Sequence, residues 1–164
     1  MIFLTVGTQF PFDRLVEAVD IAFGNGLLNS DISAQIGDSS YRPKYFSAVS
    51  RMDKEIFDEH VREASAVISH AGMGTISMAL DMNKPLLVMP RQRKYGEHVN
   101  DHQMSIARKF EELGHLLVAY EPEELPEKIG QLKTFELTKR QATPEAVASR
   151  IRGFLNTLGK RNKK

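Results

Sequence analysis

The sequence predicts an α/β domain built on a doubly wound parallel sheet of about six strands. Three observations predict it. Short apolar runs alternate with amphipathic helical stretches along the chain. The runs are apolar at nearly every position, as strands buried on both faces are. Three of them stop directly at Gly7, Gly37 or Pro90, residues that end a strand and turn the chain.

Each element follows in order. Ile2 to Val6 reads as the first strand and stops at Gly7. Residues 13–23 carry Leu15, Val16, Val19, Ala22 and Phe23 at helical spacing, with Asp13 as the expected N-cap and Gly24 and Gly26 at the end. Ile32 to Ile36 is a second strand, and Tyr45 to Val49 a weaker third. Ile56, Phe57, His60, Val61 and Ala64 mark a helix that starts near Asp53. Ala66 to Ser69 is a fourth strand, running into His70-Ala71-Gly72-Met73-Gly74, with a short helix from Thr75 to Met82. Leu86 to Met89 is a fifth, stopped by Pro90. After a polar stretch, Val99, Gln103, Ile106, Phe110 and Leu113 share a helical face that Gly114 caps. Leu116 to Ala119 is the sixth strand, and residues 121–135 read as a loose acidic helix after Pro122. Residues 144–158 form the clearest amphipathic helix, with Pro144 at its start.

Composition narrows the function. Hydrophobic residues are 41% and charged residues 26% of 164, enough for one cored domain and too apolar for disorder. The absence of cysteine excludes disulfides, thiolate catalysis and thiolate metal sites. The longest apolar runs are four or five residues, so none spans a bilayer, and the N-terminus reads as a strand rather than a signal peptide. The expected compartment is the cytoplasm. Four of the 22 Lys and Arg stand in residues 159–164. Without them the chain carries −3 against its 21 acids, a balance unlike that of a nucleic-acid binder. We read residues 1–158 as one domain and 159–164 as a basic tail, either a solubilising end or a contact for an acidic surface.

In doubly wound sheets ligands sit beyond the carboxyl ends of the strands. Three such ends are distinctive here. Ser69-His70-Ala71-Gly72-Met73-Gly74-Thr75 joins a buried strand to a helix start, where glycines admit close approach and free N–H groups attract phosphate. A tight turn without a ligand is the other reading. Gly72-x-Gly74-x-x-Ser77 departs from the dinucleotide fingerprint in its third position, in its place on the fourth strand, and in the Met89-Pro90-Arg91 end of the next strand, which lacks the ribose-binding acid. Gly7-Thr8-Gln9 suits a diphosphate or sugar, or is an ordinary turn. Glu97, His98, His102 and Gln103 open the later helix. His98 and His102 at i, i+4 lack a third metal ligand, which leaves polar recognition of sugar hydroxyls or a solvated helix start. Arg91, Arg93 and Lys94 precede them, either to neutralise diphosphate or as surface charge. His60 and His115 read as structural.

Ser69-His70-Ala71-Gly72-x-Gly74-Thr75, Asn83-Lys84-Pro85, Pro90-Arg91 and Gly96-Glu97-His98-x-x-Asp101-His102-Gln103, in this order, resemble the C-terminal domain of glycosyltransferase family 28. This is the Rossmann-like, donor-binding half of the two-domain GT-B fold. The opening Thr5-Val6-Gly7-Thr8-Gln9-Phe10-Pro11-Phe12 is similar to its free-standing forms. These are the PssE/EpsF-like exopolysaccharide subunits and the cytosolic subunit of the eukaryotic dolichol-pathway UDP-GlcNAc transferase. The resemblance spans roughly residues 1–120. It implies a UDP-sugar donor, a metal-independent inverting transfer and no cofactor. It implies donor contacts at Gly7, Thr8, Gln9, His70, Ala71, Gly72, Met73, Gly74, Thr75, Arg91, Glu97, His102 and Gln103, with Arg51 and Met52 flanking the base. Related domains often carry a carboxylate for the ribose where this chain has Met78.

Since a complete enzyme of this fold has two domains, the expectation is one subunit of a split transferase in exopolysaccharide or capsule synthesis. Its partner would be a membrane-anchored, PssD-like acceptor-binding subunit that recruits it to the inner face of the membrane. The acceptor would be a polyprenyl-diphosphate-linked sugar. The alternatives are a non-catalytic enhancer of a membrane transferase and a GT-B-type epimerase.

Overall fold

The computed structural model describes residues 1–138 together with Ala148, Ser149 and Arg152. Six parallel strands form one sheet: β1 (Ile2–Thr5), β2 (Ile32–Gln35), β3 (Ala48–Val49), β4 (Ala66–His70), β5 (Leu86–Met89) and β6 (Leu117–Val118). Their spatial order is β3-β2-β1-β4-β5-β6. β1 is central, with Ile2 opposite both Ile32 and Ala66 and Thr5 opposite Gln35 and Ser69. The order reverses between β1 and β4, so the topological switch point lies between their carboxyl ends.

Side chains alternate across this sheet, and each face finds its own cover. On one face Leu4, Val6, Ile68, Leu87 and Met89 pack with helices α1 (Asp13–Gly24) and α5 (Leu125–Leu132) through Leu15, Val19, Leu125 and Ile129. On the other, Phe3, Val67, Leu86 and Val88 meet α2 (Lys54–Glu63), α3 (Met73–Asp81) and α4 (His102–Glu112) through Val61, Ile76, Ala79 and Ala107. Both faces are dry, which is why the strands are apolar without alternation.

The expected elements are present, with differences at their ends. Asp13 is the first residue of α1 rather than its cap. Its carboxylate instead accepts from the backbone N–H groups of Ser40 (2.8 Å) and Tyr41 (3.2 Å), pinning the loop after β2. The third strand shrinks to two residues because the chain before it is fixed elsewhere: buried Asp20 accepts from the N–H groups of Lys44 and Tyr45. α3 begins at Met73, two residues before the expected start, so Gly74 lies in its first turn. α4 begins at His102; Val99 lies outside it and is 73% exposed, and Arg93–Tyr95 form a 3₁₀ turn. The acidic stretch divides into a 3₁₀ turn (Pro122–Glu124) and α5. The expected helix over 144–158 and the basic tail over 159–164 lie outside the described residues, except for Ala148, Ser149 and Arg152, which are helical. No helix among the described residues is long and apolar enough to cross a membrane.

Candidate functional site

The carboxyl ends of β1 and β4 open into a cavity of about 610 Å³. Gly7, Thr8, Gln9, His70, Gly72, Met73, Gly74, Thr75, Arg91 and Gln103, all singled out in the sequence, line it together. Three others stand apart. Ala71 is fully buried in the core behind the turn. His102 is exposed at the start of α4, its backbone N–H donating to Asn100 Oδ1 at 3.1 Å. Glu97 accepts from Arg14 Nε (2.7 Å) and Nη2 (2.8 Å) and from the Gln92 N–H (2.9 Å), so its carboxylate is engaged in tying the loop after β5 to α1.

His70 organises the floor. It ends β4, and its imidazole lies against two turns at once. A Cβ added at Gly7 would sit 2.7 Å from its Cε1, and one at Gly72 would sit 2.1 Å from its Nε2. Gly7 also has φ +75°, a conformation that favours glycine. Both glycines are therefore needed to seat the ring. Burial, reinforced by the Arg91 guanidinium, pushes the imidazole pKa down to about 3. At neutral pH it is an uncharged donor and acceptor, and its Nδ1 is buried without a partner.

Arg91 is only 2% exposed. Its Nη2 donates to the carbonyls of Val6 (2.7 Å) and Phe10 (2.6 Å), and the guanidinium lies 4.9 Å from the centre of the Phe12 ring. Burial lowers its pKa to about 10, so the cation persists at neutral pH. Its own backbone N–H donates to Gln103 Oε1 at 3.1 Å, which fixes that amide at the rim.

The amino end of α3 forms another part of the wall. Gly72 occupies the N-cap position and no side chain caps the helix. Its carbonyl accepts the first intrahelical bond, from the Ile76 N–H at 3.0 Å, so the N–H groups of Met73, Gly74 and Thr75 have no intrahelical acceptor. A Cβ at Gly74 would meet nothing within 4 Å. Neither backbone nor packing requires glycine there; its effect is to leave space above a helix end carrying partial positive charge.

Among the described residues, three buried side-chain atoms lack a hydrogen-bond partner: His70 Nδ1, Arg91 Nε and Asp58 Oδ1. All three residues line this one cavity. The motifs did not point to Asp58, which pairs with Lys54 one turn earlier on α2, nor to Gln35 and Phe57; His98, from the Gly96–Gln103 motif, lines the cavity as well. His98 precedes α4, its ring 5.3 Å from that of Phe10, so it does not share a helix face with His102. No three His, Asp or Glu side chains gather into a metal site among the described residues.

Known proteins share the fold and the sequence pattern of this chain. The glycosyltransferase family 28 C-terminal domain matches residues 1–158. The human UDP-N-acetylglucosamine transferase subunit ALG13 is 32% identical over 124 residues, covering 70% of this chain and 10% of the human protein. The Candida glabrata protein of the same name is 29% identical over 160 residues, covering 70% of this chain and 77% of its own. The chain thus spans about a tenth of the human relative and most of the yeast one. Among solved structures, the NMR structure of ALG13 superposes with a TM-score of 0.58 at 20% identity over 92% of this chain and 93% of its own. The glycotransferase of kitacinnamycin gives 0.60 at 20% identity over 93% of this chain and 37% of its own. These structural likenesses establish the fold, the C-terminal half of a GT-B glycosyltransferase. With the family pattern running through nearly its whole length, the chain belongs to the glycosyltransferase family 28 C-terminal domain family.

Proposed function

We propose that this chain is the donor-binding subunit of a two-component inverting glycosyltransferase, with a UDP-sugar as its substrate. The observation that carries the reading is the uncapped amino end of α3 beneath the open space at Gly74, at the switch point of the sheet. There the free N–H groups and helix dipole hold a diphosphate and stabilise it as leaving group, with no metal or cofactor needed. The relatives named as UDP-N-acetylglucosamine transferase subunits support a UDP-linked donor and a partner. In this reading the partner is a membrane-anchored, acceptor-binding protein that recruits the chain to the cytoplasmic face. The acceptor is a polyprenyl-diphosphate-linked sugar, as in exopolysaccharide or capsule synthesis by PssE/EpsF-like subunits.

Calorimetric titration with UDP, GDP and NAD tests it. UDP is expected to bind selectively, and Gly74→Leu to abolish binding. The added Cβ meets no protein atom within 4 Å and replaces a helical glycine, so the fold is expected to be unharmed or more stable by about 0.5–1 kcal/mol. UDP binding that survives Gly74→Leu would remove the helix end from the site. Met78 on the cavity wall, where a carboxylate could have served, favours a second reading, a non-catalytic enhancer. Absence of nucleotide binding by the chain and by its co-purified complex would support that one.

A further inference from the structure

The β1–α1 loop forms one side of the cavity through Gly7, Thr8, Gln9 and Phe10. Short surface loops tend to move, and this one has few anchors of its own. At its start the Gly7 N–H donates to Thr5 Oγ1 (3.2 Å), and at its end the Phe12 N–H donates to Ser39 Oγ (3.0 Å). Between these anchors the backbone is held from the β5–α4 connection. Arg91 Nη2 donates to the carbonyls of Val6 and Phe10, so one nitrogen draws together two acceptors four residues apart. The guanidinium is nearly buried and lies against the fully buried ring of Phe12. The ring of Phe10 meets that of His98, a second tie between the same two connections.

We propose that Arg91 is a positioning residue: its guanidinium holds the β1–α1 loop in the shape that a bound nucleotide diphosphate meets, and does not itself contact the phosphates. The inference rests on the UDP-sugar reading above. Two carbonyl oxygens turned toward one point repel each other unless a donor joins them, and a cationic nitrogen with two N–H groups is suited to that. Both hydrogens of Nη2 are spent in this way on the protein. The held loop stands beside the amino end of α3, since Gly7 and the α3 N-cap Gly72 both lie against the His70 ring. A ligand seated there meets a loop already ordered and avoids the cost of ordering it. The backbone N–H of Arg91 also fixes Gln103 Oε1, so one residue joins the loop to the first turn of α4.

The test joins two measurements on the native chain, Arg91→Met and Arg91→Lys: calorimetry with UDP, repeated on the co-purified complex, and amide-nitrogen NMR relaxation of the loop. In the native chain Gly7 to Phe10 are expected to be as ordered as β1. Arg91→Met keeps the bulk and loses both donors. It is expected to loosen these amides and no others, and to weaken UDP by about tenfold, the loss when the competent loop is populated about a tenth of the time. Arg91→Lys keeps the charge and N–H donors without the planar stack on Phe12, and is expected to fall between in both readouts. It also carries the test should Arg91→Met fail to fold. Loop order and affinity that move together across the three proteins support the proposal. Native UDP affinity in either variant overturns it. A native loop in a variant that binds UDP weakly also overturns it, and assigns the guanidinium a direct contact with the anion. Loosening spread over the whole sheet reduces Arg91 to a general structural role and overturns it as well. In each of these cases the native protein binds UDP and the UDP reading stands. If neither native chain nor complex binds UDP, both readings fall together.

Discussion

At the scale of single residues, the site turns on a histidine that the fold keeps neutral. His70 is packed between Gly7 and Gly72, and burial together with the Arg91 cation holds its pKa near 3. The unfolded chain takes up that proton near the ordinary histidine value of 6.5. Between the two values the unfolded state binds more protons than the folded one, so stability rises with pH across this window and is constant in this respect above it. His70 alone therefore contributes a slope approaching ~1.4 kcal/mol per pH unit as pH falls from 6.5. Replacing His70 by Gln is expected to flatten that part of the profile. Urea denaturation at pH 7.5, 6.5 and 5.5 measures it, and an unchanged slope in His70→Gln would show that the ring titrates in the native state as it does in the unfolded one. The same depressed pKa makes His70 a poor general base at neutral pH, since an effective base titrates near the working pH. Its place is better suited to donating a hydrogen bond to a bound anion.

At the scale of elements, the loop after β5 shows why local pattern was insufficient. Its side chains read as a helix start with sugar-binding polar groups. In the fold, Glu97 holds Arg14 of α1 by two parallel bonds across 83 residues of sequence, and Arg14 also donates to the carbonyls of Tyr120 (3.2 Å) and Pro90 (2.9 Å). The two side chains are only 12% and 10% exposed. Glu97→Ala leaves a nearly buried guanidinium with a single distant carboxylate, Glu121 at 3.8 Å, and is expected to cost about 3 kcal/mol. Chemical denaturation gives the value; a loss below about 1 kcal/mol would mean that water substitutes for the carboxylate. No periodicity can reveal this long-range clamp, and α4 starts at His102, leaving Val99 outside it. The central strands were legible because burial on both faces makes every position apolar. The glycine turns were legible because their residue types carry the geometry. Asp58 was not, since Lys54 four residues earlier makes it look like a solvent-facing helical pair.

At the scale of the whole molecule, the strand order places the candidate donor contacts read from the sequence at one end of the sheet, at the β1–α1, β4–α3 and β5–α4 connections and in the first turns of α3 and α4. In the proposed reading donor recognition is concentrated in this domain, whereas transfer requires an acceptor hydroxyl and a group to take its proton. His70 is held too acidic for that task, and the one carboxylate among the described lining residues is paired with Lys54. The rim around the cavity carries exposed Phe10 and Met73, apolar groups that a second protein surface would cover. The purified chain is therefore expected to bind UDP-sugar and to transfer nothing measurable to a polyprenyl-diphosphate-linked sugar. Adding the proposed membrane-anchored acceptor-binding partner is expected to start transfer, and Gly74→Leu in that complex to stop it while assembly persists. A radiolabelled-sugar assay on the chain, the partner and the mixture reads all three. Transfer by the chain alone at the rate of the mixture would mean that acceptor site and base both lie within this domain. Transfer by the mixture that ignores Gly74→Leu would assign the chain a stabilising role and the donor site to its partner.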